Sequence, residues 1–311
     1  MSGGLERYLE QLATGLERRR EAALLRTFSL PDGVDFTSND YLGYASDMEL
    51  ASQVADVVRT AGTGSGASRL LRGHTALHAE AEATLAAFVG APASLLFPSG
   101  YQANVGMLSA LAGPEDVVVS DALNHASLID GVRLCRARRI VVPHGDVGAV
   151  ERALAEQTDA GRRFILTESV FSMDGDHAPL DALADVAERH DAMLIVDEAH
   201  ATGLYGPGGS GRVGELGLRS RVLATVHTGG KALGVAGAWI AGSNALVGHL
   251  VNHCRSFVYS TAPPPAIAAG LIAAVRRRER DDHVVHALVQ RAERFRSRLR
   301  AAGVDIGCAA G

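Results

Sequence analysis

The sequence has few cysteines, and their spacing favours neither a disulfide framework nor a cysteine-based metal site. Among 311 residues there are three cysteines, Cys135, Cys254 and Cys308, and no CxxC pair. This usage is typical of a reducing compartment, so we expect a cytoplasmic location. We also expect no secretory signal, because the first residues carry the charges Glu6 and Arg7 instead of an apolar segment.

Neither sign of charge is in large excess, and long apolar runs are missing. The net charge is −5 and the pI is about 6.2, which gives no basic surface for nucleic acid or an anionic membrane. The longest apolar stretch, near residues 262–275, is interrupted by Pro263-Pro264-Pro265. It is shorter than the roughly 20 residues that a bilayer crossing needs. We therefore expect neither nucleic acid nor a membrane among the partners.

Apolar residues are plentiful, at 47% of the chain, which supports a sizeable core in one large domain or two unequal ones. From residue 94 onwards, short apolar runs alternate with helical periodicity. This pattern predicts an α/β fold with three αβα layers, in which a mostly parallel seven-stranded sheet lies between helices. The predicted strands are 94–97, 117–120, 139–142, 164–168, 192–196, 222–226 and 238–241. The predicted helices include 5–25, 49–60, 101–111, 147–157 and 180–190.

A lysine lies in a segment of small residues after the sixth predicted strand, VHTGGKALG at 226–234. Small neighbours let backbone or a ligand approach Lys231, and partial desolvation lowers the pKa of an amine, which suits Schiff-base chemistry. Taken alone, the segment favours a solvated lysine in a turn. A P-loop is excluded, because Thr225 stands where that motif needs glycine and Ala232 where it needs Ser or Thr.

Carboxylates and histidines follow other predicted strands. Asp197 and His200 follow the fifth strand, His125 the second, and Glu168 with Ser172 the fourth. Open α/β sheets bind ligands at the carboxyl ends of their strands, and an aspartate there is suited to hold the protonated pyridine nitrogen of pyridoxal phosphate. Each residue alone is equally explained as a cap, core or turn residue. Their gathering at one edge of the sheet is what predicts a site.

Two loops add further candidates. Pro98-Ser99-Gly100-Tyr101 opens a helix directly after the first strand, and the free N–H groups of such a helix suit a phosphate, although a plain N-cap explains the pattern too. Near the N-terminus, Arg26 follows an amphipathic helix, and Asn39 and Asp40 lie in a loop of short polar residues where they can also close a turn.

Two patterns resemble other binding motifs but lack a required part. The glycine-rich segment 62–66 follows a helix, whereas a dinucleotide-binding loop should follow a strand. His74 and His78, with Glu82 one turn further, have zinc-like spacing, but HExxH is absent, and a helix-capping histidine with surface charges explains them better. The rival hypothesis is a metal hydrolase that uses these residues or the set Asp197, Glu198 and His200.

Taken in order, the motifs resemble those of the α-oxoamine synthases, a fold-type-I family of pyridoxal-phosphate enzymes with an aspartate-aminotransferase-like fold. The set is specific and spans nearly the whole chain. The matching segments are SNDYLG at Ser38, GTGSGASRLLRG at Gly62, SGYQAN at Ser99, LNHASLIDG at Leu123, ESVFSMDGDHAPL at Glu168, VDEAHATGLYG at Val196, TGGKALG at Thr228 and YSTAPPP at Tyr259.

The resemblance implies a role for each site residue. Lys231 would carry the cofactor and act as base and acid at the substrate's α-carbon, and Asp197 would pair with the pyridine nitrogen. His125 would stack on the ring, and His200 would lie by the ring hydroxyl. The other implied contacts are those to the phosphate (Gly100, Tyr101, Thr228 and, across a homodimer interface, Thr261), to the cofactor and substrate region (Glu168, Ser172) and to the substrate carboxylate (Arg26, Asn39).

The reaction that the resemblance implies is a decarboxylative condensation of L-alanine with a pimeloyl thioester, on coenzyme A or a carrier protein, in biotin biosynthesis. Relatives that use glycine or serine are the alternative. The expected domains are an N-terminal helix and substrate loop (1–44), a large cofactor-binding domain (45–275) and the start of a small C-terminal domain (276–311). The family continues beyond that point and supplies a substrate-binding arginine there, so an inactive truncated form is a further alternative.

Overall fold

The computed structural model describes residues 3–30 and 32–307, so the predictions that involve Cys308 lie outside the described residues. The chain divides into an N-terminal unit that ends at Ser38 and a large unit that begins at Asn39. The first unit contains helix α1 (Gly3–Glu21), with arginines in its last turn. This helix is shorter than predicted, because Ala23 takes a left-handed φ of 54° and ends the helical path.

Seven strands form one sheet in the large unit, in the order β1-β7-β6-β5-β4-β2-β3. β7 is antiparallel to both of its neighbours, and the other pairs are parallel. This confirms the predicted mostly parallel seven-stranded sheet. The strands are β1 (Ala93–Phe97), β2 (Val117–Asp121), β3 (Arg138–Val142), β4 (Arg163–Glu168), β5 (Ala192–Asp197), β6 (Ala224–Thr228) and β7 (Ala238–Gly242).

Helices cover both faces of the sheet, which confirms the three-layer architecture. Successive residues of a strand point to opposite faces, so Val118 packs into a different cluster from Val117 and Val119. The helices of the large unit are α2 (Met48–Ala61), α3 (Ala76–Val89), α4 (Gly100–Leu111), α5 (Ala126–Cys135), α6 (Val147–Ala155), α7 (Leu180–Arg189), α8 (Arg212–Glu215), α9 (Asn244–His253), α10 (Arg255–Val258), α11 (Pro265–Arg278) and α12 (Asp282–Ala301). Among the described residues, no helix is both long and apolar enough to cross a membrane.

The sixth strand begins two residues later than its apolar run predicts. Leu223 donates its N–H to the carbonyl of Leu194, but paired residues start only at Ala224, opposite Ile195. A short 3₁₀ turn at Arg219–Arg221 leads the chain into the sheet at this point. The strand ends at Thr228, three residues before Lys231, at the edge of the sheet where β4 and β5 also end.

Candidate active site

The carboxyl ends of β4, β5 and β6 bring the predicted residues to one edge of the sheet. Glu168 and Asp197 are direct register partners, and Asp197 also pairs in register with Val226. Because β6 continues to Thr228, the segment that carries Lys231 leaves the sheet at the same edge. The parallel topology therefore places these groups where open α/β sheets bind ligands.

The amine of Lys231 lies against the imidazole of His200, with 2.5 Å between Nζ and Nε2. Burial lowers the pKa of Lys231, although the charges of Asp197 and Glu168 oppose this shift. Burial, together with the charges of the neighbouring Lys231 and His125, lowers the pKa of His200 to about 3. His200 is therefore neutral at physiological pH, and Lys231 loses its proton more easily than a solvated lysine.

Asp197 is almost fully buried, and both of its carboxylate oxygens accept hydrogen bonds. The N–H of Ala199 donates to Oδ1 at 2.9 Å, so the residue does cap the turn that follows β5. The side chain of Asn104 on α4 donates to Oδ2 at 2.7 Å. With 5% exposure and two fixed donors, this carboxylate is held in one orientation for a cationic partner.

His125 is the N-cap of α5, and its hydrogen bonds fix its tautomer. Nδ1 accepts from the backbone N–H of Ser127 at 3.2 Å and lies 2.7 Å from the same residue's Oγ. The neutral ring consequently carries its proton on Nε2. Asn104 donates to Ser127 Oγ at 2.9 Å as well as to Asp197, and the N–H of His125 donates to Glu168 Oε1 at 2.6 Å. Hydrogen bonds thus link His125 to both carboxylates.

The predicted phosphate seat lies at the N-terminus of α4. Ser99 caps this helix by accepting a hydrogen bond from Gln102 N at 3.3 Å. The first N–H groups of an α-helix have no acceptor within the helix, and the helix dipole attracts anions to this end. A Cβ on Gly100 would lie 3.9 Å from Cβ of Thr228, so the helix N-terminus and the end of β6 are neighbours. Tyr101 is exposed, with its hydroxyl bonded to Asp130.

These groups fit pyridoxal phosphate by their chemistry. A half-buried amine with a lowered pKa suits the aldehyde carbon, and a buried carboxylate suits the protonated pyridine nitrogen. A helix N-terminus suits the phosphate, and a neutral histidine suits the ring hydroxyl. The residues concerned are Lys231, Asp197, Gly100 with Thr228, and His200.

The structure leaves other predicted residues at the surface. Thr261 and Ser172 are exposed, Ser172 in the loop after β4, and Arg26 is exposed in the N-terminal unit. Asn39 is also exposed, but its Oδ1 accepts a hydrogen bond from the hydroxyl of Tyr41 at 3.2 Å. The roles of these four residues remain predictions.

Glu198 does not join Asp197 and His200 in a metal site. Its carboxylate accepts hydrogen bonds from the N–H groups of Arg212 and Val213 at 2.8 and 2.7 Å and therefore holds the start of α8. Burial raises the pKa of Glu198 to about 7. Within residues 3–30 and 32–307, no three His, Cys, Asp or Glu side chains form a group that could hold a metal ion.

His78, in the first turn of α3, has a structural role. Nδ1 of His78 accepts from the N–H of Thr75 at 3.1 Å, and Nε2 donates to the carbonyl of Pro263 at 2.8 Å, so the helix-capping interpretation is confirmed. The expectation of surface charges was wrong, because Glu82 forms an ion pair at 2.9 Å with Arg69, whose side chain is only 5% exposed.

Three residues of the site network were not among the predicted set: Tyr41, Asn104 and Ser127. Each lies inside a motif that the sequence analysis quoted, namely SNDYLG, SGYQAN and LNHASLIDG. The motif signal could have selected them. Tyr41 and Asn104 also bond to His200 and Asp197, which are distant in sequence, so neither periodicity nor local spacing identifies those contacts.

Comparison with known proteins gives consistent matches. The family "Aminotransferase class I and II" matches residues 31–310. A protein of Exiguobacterium sibiricum named 8-amino-7-oxononanoate synthase is 40% identical over 311 residues, which cover 96% of this chain and 80% of the relative. One of Azoarcus with the same name is 46% identical, covering 91% and 73%.

Two solved structures of enzymes have folds similar to that of this chain. A serine palmitoyltransferase of S. paucimobilis with bound pyridoxal phosphate and myriocin superimposes with a TM-score of 0.80 at 26% identity, covering 88% of this chain and 74% of that one. The 8-amino-7-oxononanoate synthase of Francisella tularensis gives a TM-score of 0.75 at 29% identity, covering 88% and 77%.

Proposed function

The chain belongs to the aminotransferase class I and II family and, within it, to the α-oxoamine synthases, and we propose that it makes 8-amino-7-oxononanoate from L-alanine and a pimeloyl thioester. It is a pyridoxal-phosphate-dependent C-acyltransferase of biotin biosynthesis. The observation that carries the proposal is the convergence of Lys231, His200 and Asp197 at one sheet edge, with the amine 2.5 Å from the imidazole.

The chain's own groups account for the proton movements of this reaction. When bound, pyridoxal phosphate draws electrons from the amino acid's α-carbon and makes its proton acidic. Asp197 would hold the proton on the pyridine nitrogen, and Nζ of Lys231 would take the α-proton, which its lowered pKa favours. The α-carbon would then form a bond to the carbonyl carbon of the thioester while the bond from that carbon to sulfur breaks and the thiolate leaves. Carbon dioxide would leave as the bond between the α-carbon and the carboxylate breaks, and Lys231 would return its proton to the α-carbon.

His125 and His200 orient the reactants. The tautomer of His125 leaves Nε2–H as the donor on the side of the ring away from Ser127. His200 stays neutral at the pH of the reaction and therefore adds no positive charge beside the amine. Three substrate-region residues complete the proposal: Asn39 and Ser172, which lie in the motifs SNDYLG and ESVFSMDGDHAPL, and Arg26, which precedes the first motif.

A homodimer with shared active sites is part of the proposal. Thr261 is exposed and lies in the segment that follows α10, where it forms an isolated β-bridge with Ser68. The large apolar side chains of Leu71 and Tyr259, in the segments on either side of this bridge, are 79% and 75% exposed. Apolar exposure of this kind in two adjoining segments marks an association surface. We expect Thr261 to reach the cofactor phosphate of the partner subunit from here.

Mixing inactive subunits tests this arrangement. A Lys231→Ala subunit and a Thr261→Ala subunit should together regain activity, because one of the two shared sites then contains both native residues. If Thr261 acted in its own subunit, the mixture would contain no intact site and would stay as inactive as the separate variants. Light scattering on the same samples should show a dimer.

The cellular location belongs to the proposal as well. Cys135 and Cys254 are free and buried thiols, as expected in a reducing compartment. We therefore propose that the protein works in the cytoplasm. Fractionation of the source cells tests this, and recovery of the protein with the periplasm or the medium would contradict it.

Two measurements test the activity itself. Adding pyridoxal phosphate should give visible absorbance that borohydride removes, and Lys231→Ala should abolish it. Alanine, glycine and serine should then be supplied separately with pimeloyl, succinyl, acetyl and palmitoyl thioesters. The proposal requires the fastest turnover with alanine and a pimeloyl thioester. Since one methyl group is worth only about 1–3 kcal/mol in selection, some activity with glycine is expected too.

The second candidate is an α-oxoamine synthase that uses serine or glycine, which the structural likeness to serine palmitoyltransferase favours. Faster turnover with serine and a palmitoyl thioester, or with glycine and a short acyl thioester, would replace the substrate assignment and leave the cofactor chemistry in place. Cofactor binding without turnover of any pair would indicate a non-catalytic relative.

A further inference from the structure

The hydroxyl of Tyr41 lies between a residue of the cofactor region and one of the substrate loop. It is 2.7 Å from Nδ1 of His200 and 3.2 Å from Oδ1 of Asn39. On the other side of the imidazole ring, Nε2 of His200 lies 2.5 Å from Nζ of Lys231. The four side chains form one continuous chain of hydrogen bonds from the exposed loop to the amine.

The number of protons in this chain makes its two ends dependent on each other. Neutral His200 has one ring proton, and Tyr41 has one hydroxyl proton. When Lys231 donates to Nε2, the ring proton is on Nδ1 and is donated to the oxygen of Tyr41. The hydroxyl proton is then free for Oδ1 of Asn39. When Nε2 carries the ring proton instead, Nδ1 accepts from Tyr41, and Asn39 loses its donor.

We propose that Tyr41 is a positioning residue whose hydroxyl responds to the tautomer of His200, which the ammonium of Lys231 selects, and so links the proton on Lys231 to the side chain of Asn39. The meaning of this link rests on the proposed function, in which Lys231 takes up a proton while substrate lies at the loop that carries Asn39. The same proton then decides whether the Asn39 carbonyl is held by Tyr41 or is released toward substrate.

The surroundings keep the proton count fixed. Burial raises the pKa of Tyr41, and the nearby Tyr205 adds to that shift, so the hydroxyl keeps its proton through the neutral range. Burial likewise keeps His200 uncharged. The other titratable groups that act on this chain are His125 beside His200, and Asp197 and Glu168 beside Lys231.

Nitrogen NMR of the whole chain tests the proposal directly, because ¹⁵N shifts of a histidine ring report which nitrogen carries the proton. With charged Lys231, the protein without cofactor should show His200 protonated on Nδ1. Tyr41→Phe should shift the Nδ1 signal, because Nδ1–H loses its acceptor while the ammonium of Lys231 keeps the proton on that nitrogen. The matched control is Tyr205→Phe, which removes a neighbouring hydroxyl that contacts His177 instead of His200, and it should leave the His200 signals unchanged.

The coupling is measured at Asn39. Lys231→Met removes the donor to Nε2, so it should shift the Asn39 side-chain amide signal in the wild-type background, and the shift should be lost in the Tyr41→Phe background. Asn39→Ala, an exposed change, removes the acceptor of the Tyr41 hydroxyl and should shift the Nδ1 signal of His200, which gives a second reading if Tyr41→Phe folds poorly. An unchanged Nδ1 signal of His200 in Tyr41→Phe, or an equal Asn39 response in both backgrounds, would overturn the proposal. Neither outcome depends on turnover, so a failure of the proposed reaction is seen separately.

Discussion

Glu168 and Asp197 are direct register partners at the ends of two adjacent parallel strands, so two carboxylates leave the sheet side by side. Burial raises the pKa of Glu168 to about 8, and the charge on Asp197 contributes to the shift. Both oxygens of Asp197 are held by donors, whereas Glu168 accepts one backbone N–H, from His125. Glu168 therefore holds a proton at neutral pH, whereas the carboxylate of Asp197 is held in one orientation by its two donors.

Glu168→Gln should change how stability depends on pH. The folded pKa of Glu168 is about 8 and lies above its ordinary value of 4.5, so the folded state binds a proton that the unfolded state has lost between these values. Wild-type stability consequently falls relative to Gln as pH rises through this window, and the difference levels off above it. Thermal unfolding of both proteins across the window measures this. If wild type and Glu168→Gln showed the same dependence of stability on pH, the prediction would be contradicted. The control is Glu156→Gln, a substitution of an exposed glutamate.

The sequence predicted the sheet well, because hydrophobic runs and strand–helix alternation are local signals. It also predicted the edge where Lys231, Asp197, His125 and Glu168 gather, since parallel strands end together. It did not predict Asn104 as the donor to Asp197, because 93 residues separate the two and no periodicity records such a contact. For the same reason the sequence did not predict the link from His125 to Asp197 through Ser127 and Asn104.

Two errors have physical causes of the same kind. The apolar run 222–226 predicted the sixth strand too early, because apolar residues also pack at the entry to a sheet before hydrogen-bonded pairing begins. Glu82 was interpreted as a surface charge, because a charged residue on a helix is usually solvated. Its partner Arg69 comes from the loop before α3, and that pairing is a tertiary contact.

Asn104→Ala should destabilise the protein and weaken the cofactor site together. The change removes a donor from the buried carboxylate of Asp197 and leaves that group partly unsatisfied, which costs about 1–3 kcal/mol. Chemical denaturation measures the loss, and the affinity for pyridoxal phosphate should fall in the same variant. The control is Asn252→Ala, an exposed asparagine whose side chain donates to the backbone carbonyl of Gly248. Equal effects of the two substitutions would contradict the role of Asn104.

His144→Gln should weaken a charged bridge that fastens the loop after β4. Nδ1 of His144 lies 2.9 Å from Asp121 Oδ1, and Nε2 lies 2.7 Å from Asp176 Oδ2. Burial alone would lower the pKa of His144, but its hydrogen bonds to both aspartates outweigh burial and raise it. Because the folded pKa lies above the unfolded value of 6.5, the stabilisation is complete below that pH and is lost as pH rises through the folded pKa.

The measurement is the difference in melting temperature between wild type and His144→Gln at a series of pH values. It should be largest on the acidic side and should shrink as pH rises. His253→Gln is the control, since His253 is exposed and contacts His249 through that residue's backbone carbonyl and ring. A difference that grows with pH would show that the charged form of His144 does not hold the loop.

Breaking the buried ion pair of Arg69 and Glu82 should be costly, whereas breaking an exposed pair on the same helix should not. Arg69→Met leaves a buried carboxylate without its cation, which costs about 3–5 kcal/mol. Adding Glu82→Gln should recover much of this, because the amide stays neutral and still accepts from the N–H of Leu96. Arg276→Met, which breaks the exposed pair with Glu80, should change the free energy of unfolding little. A double variant no more stable than Arg69→Met would contradict the charge argument.

The two glycines on either side of Lys231 should respond differently to alanine. Gly234 has a left-handed φ of +65°, and a Cβ there would lie 2.3 Å from the N of Ala45, in the segment that follows Tyr41. The backbone strain alone costs about 1–3 kcal/mol, and the clash must push the loop away. Gly234→Ala should therefore lower the melting temperature and raise the KM for amino acid through the displaced loop.

Gly230→Ala is the matched stability control, because its Cβ would come no closer than 3.6 Å, to Thr228 Oγ1, and its φ is not in the left-handed region. Equal melting temperatures for the two variants would show that the loop does not depend on this close approach.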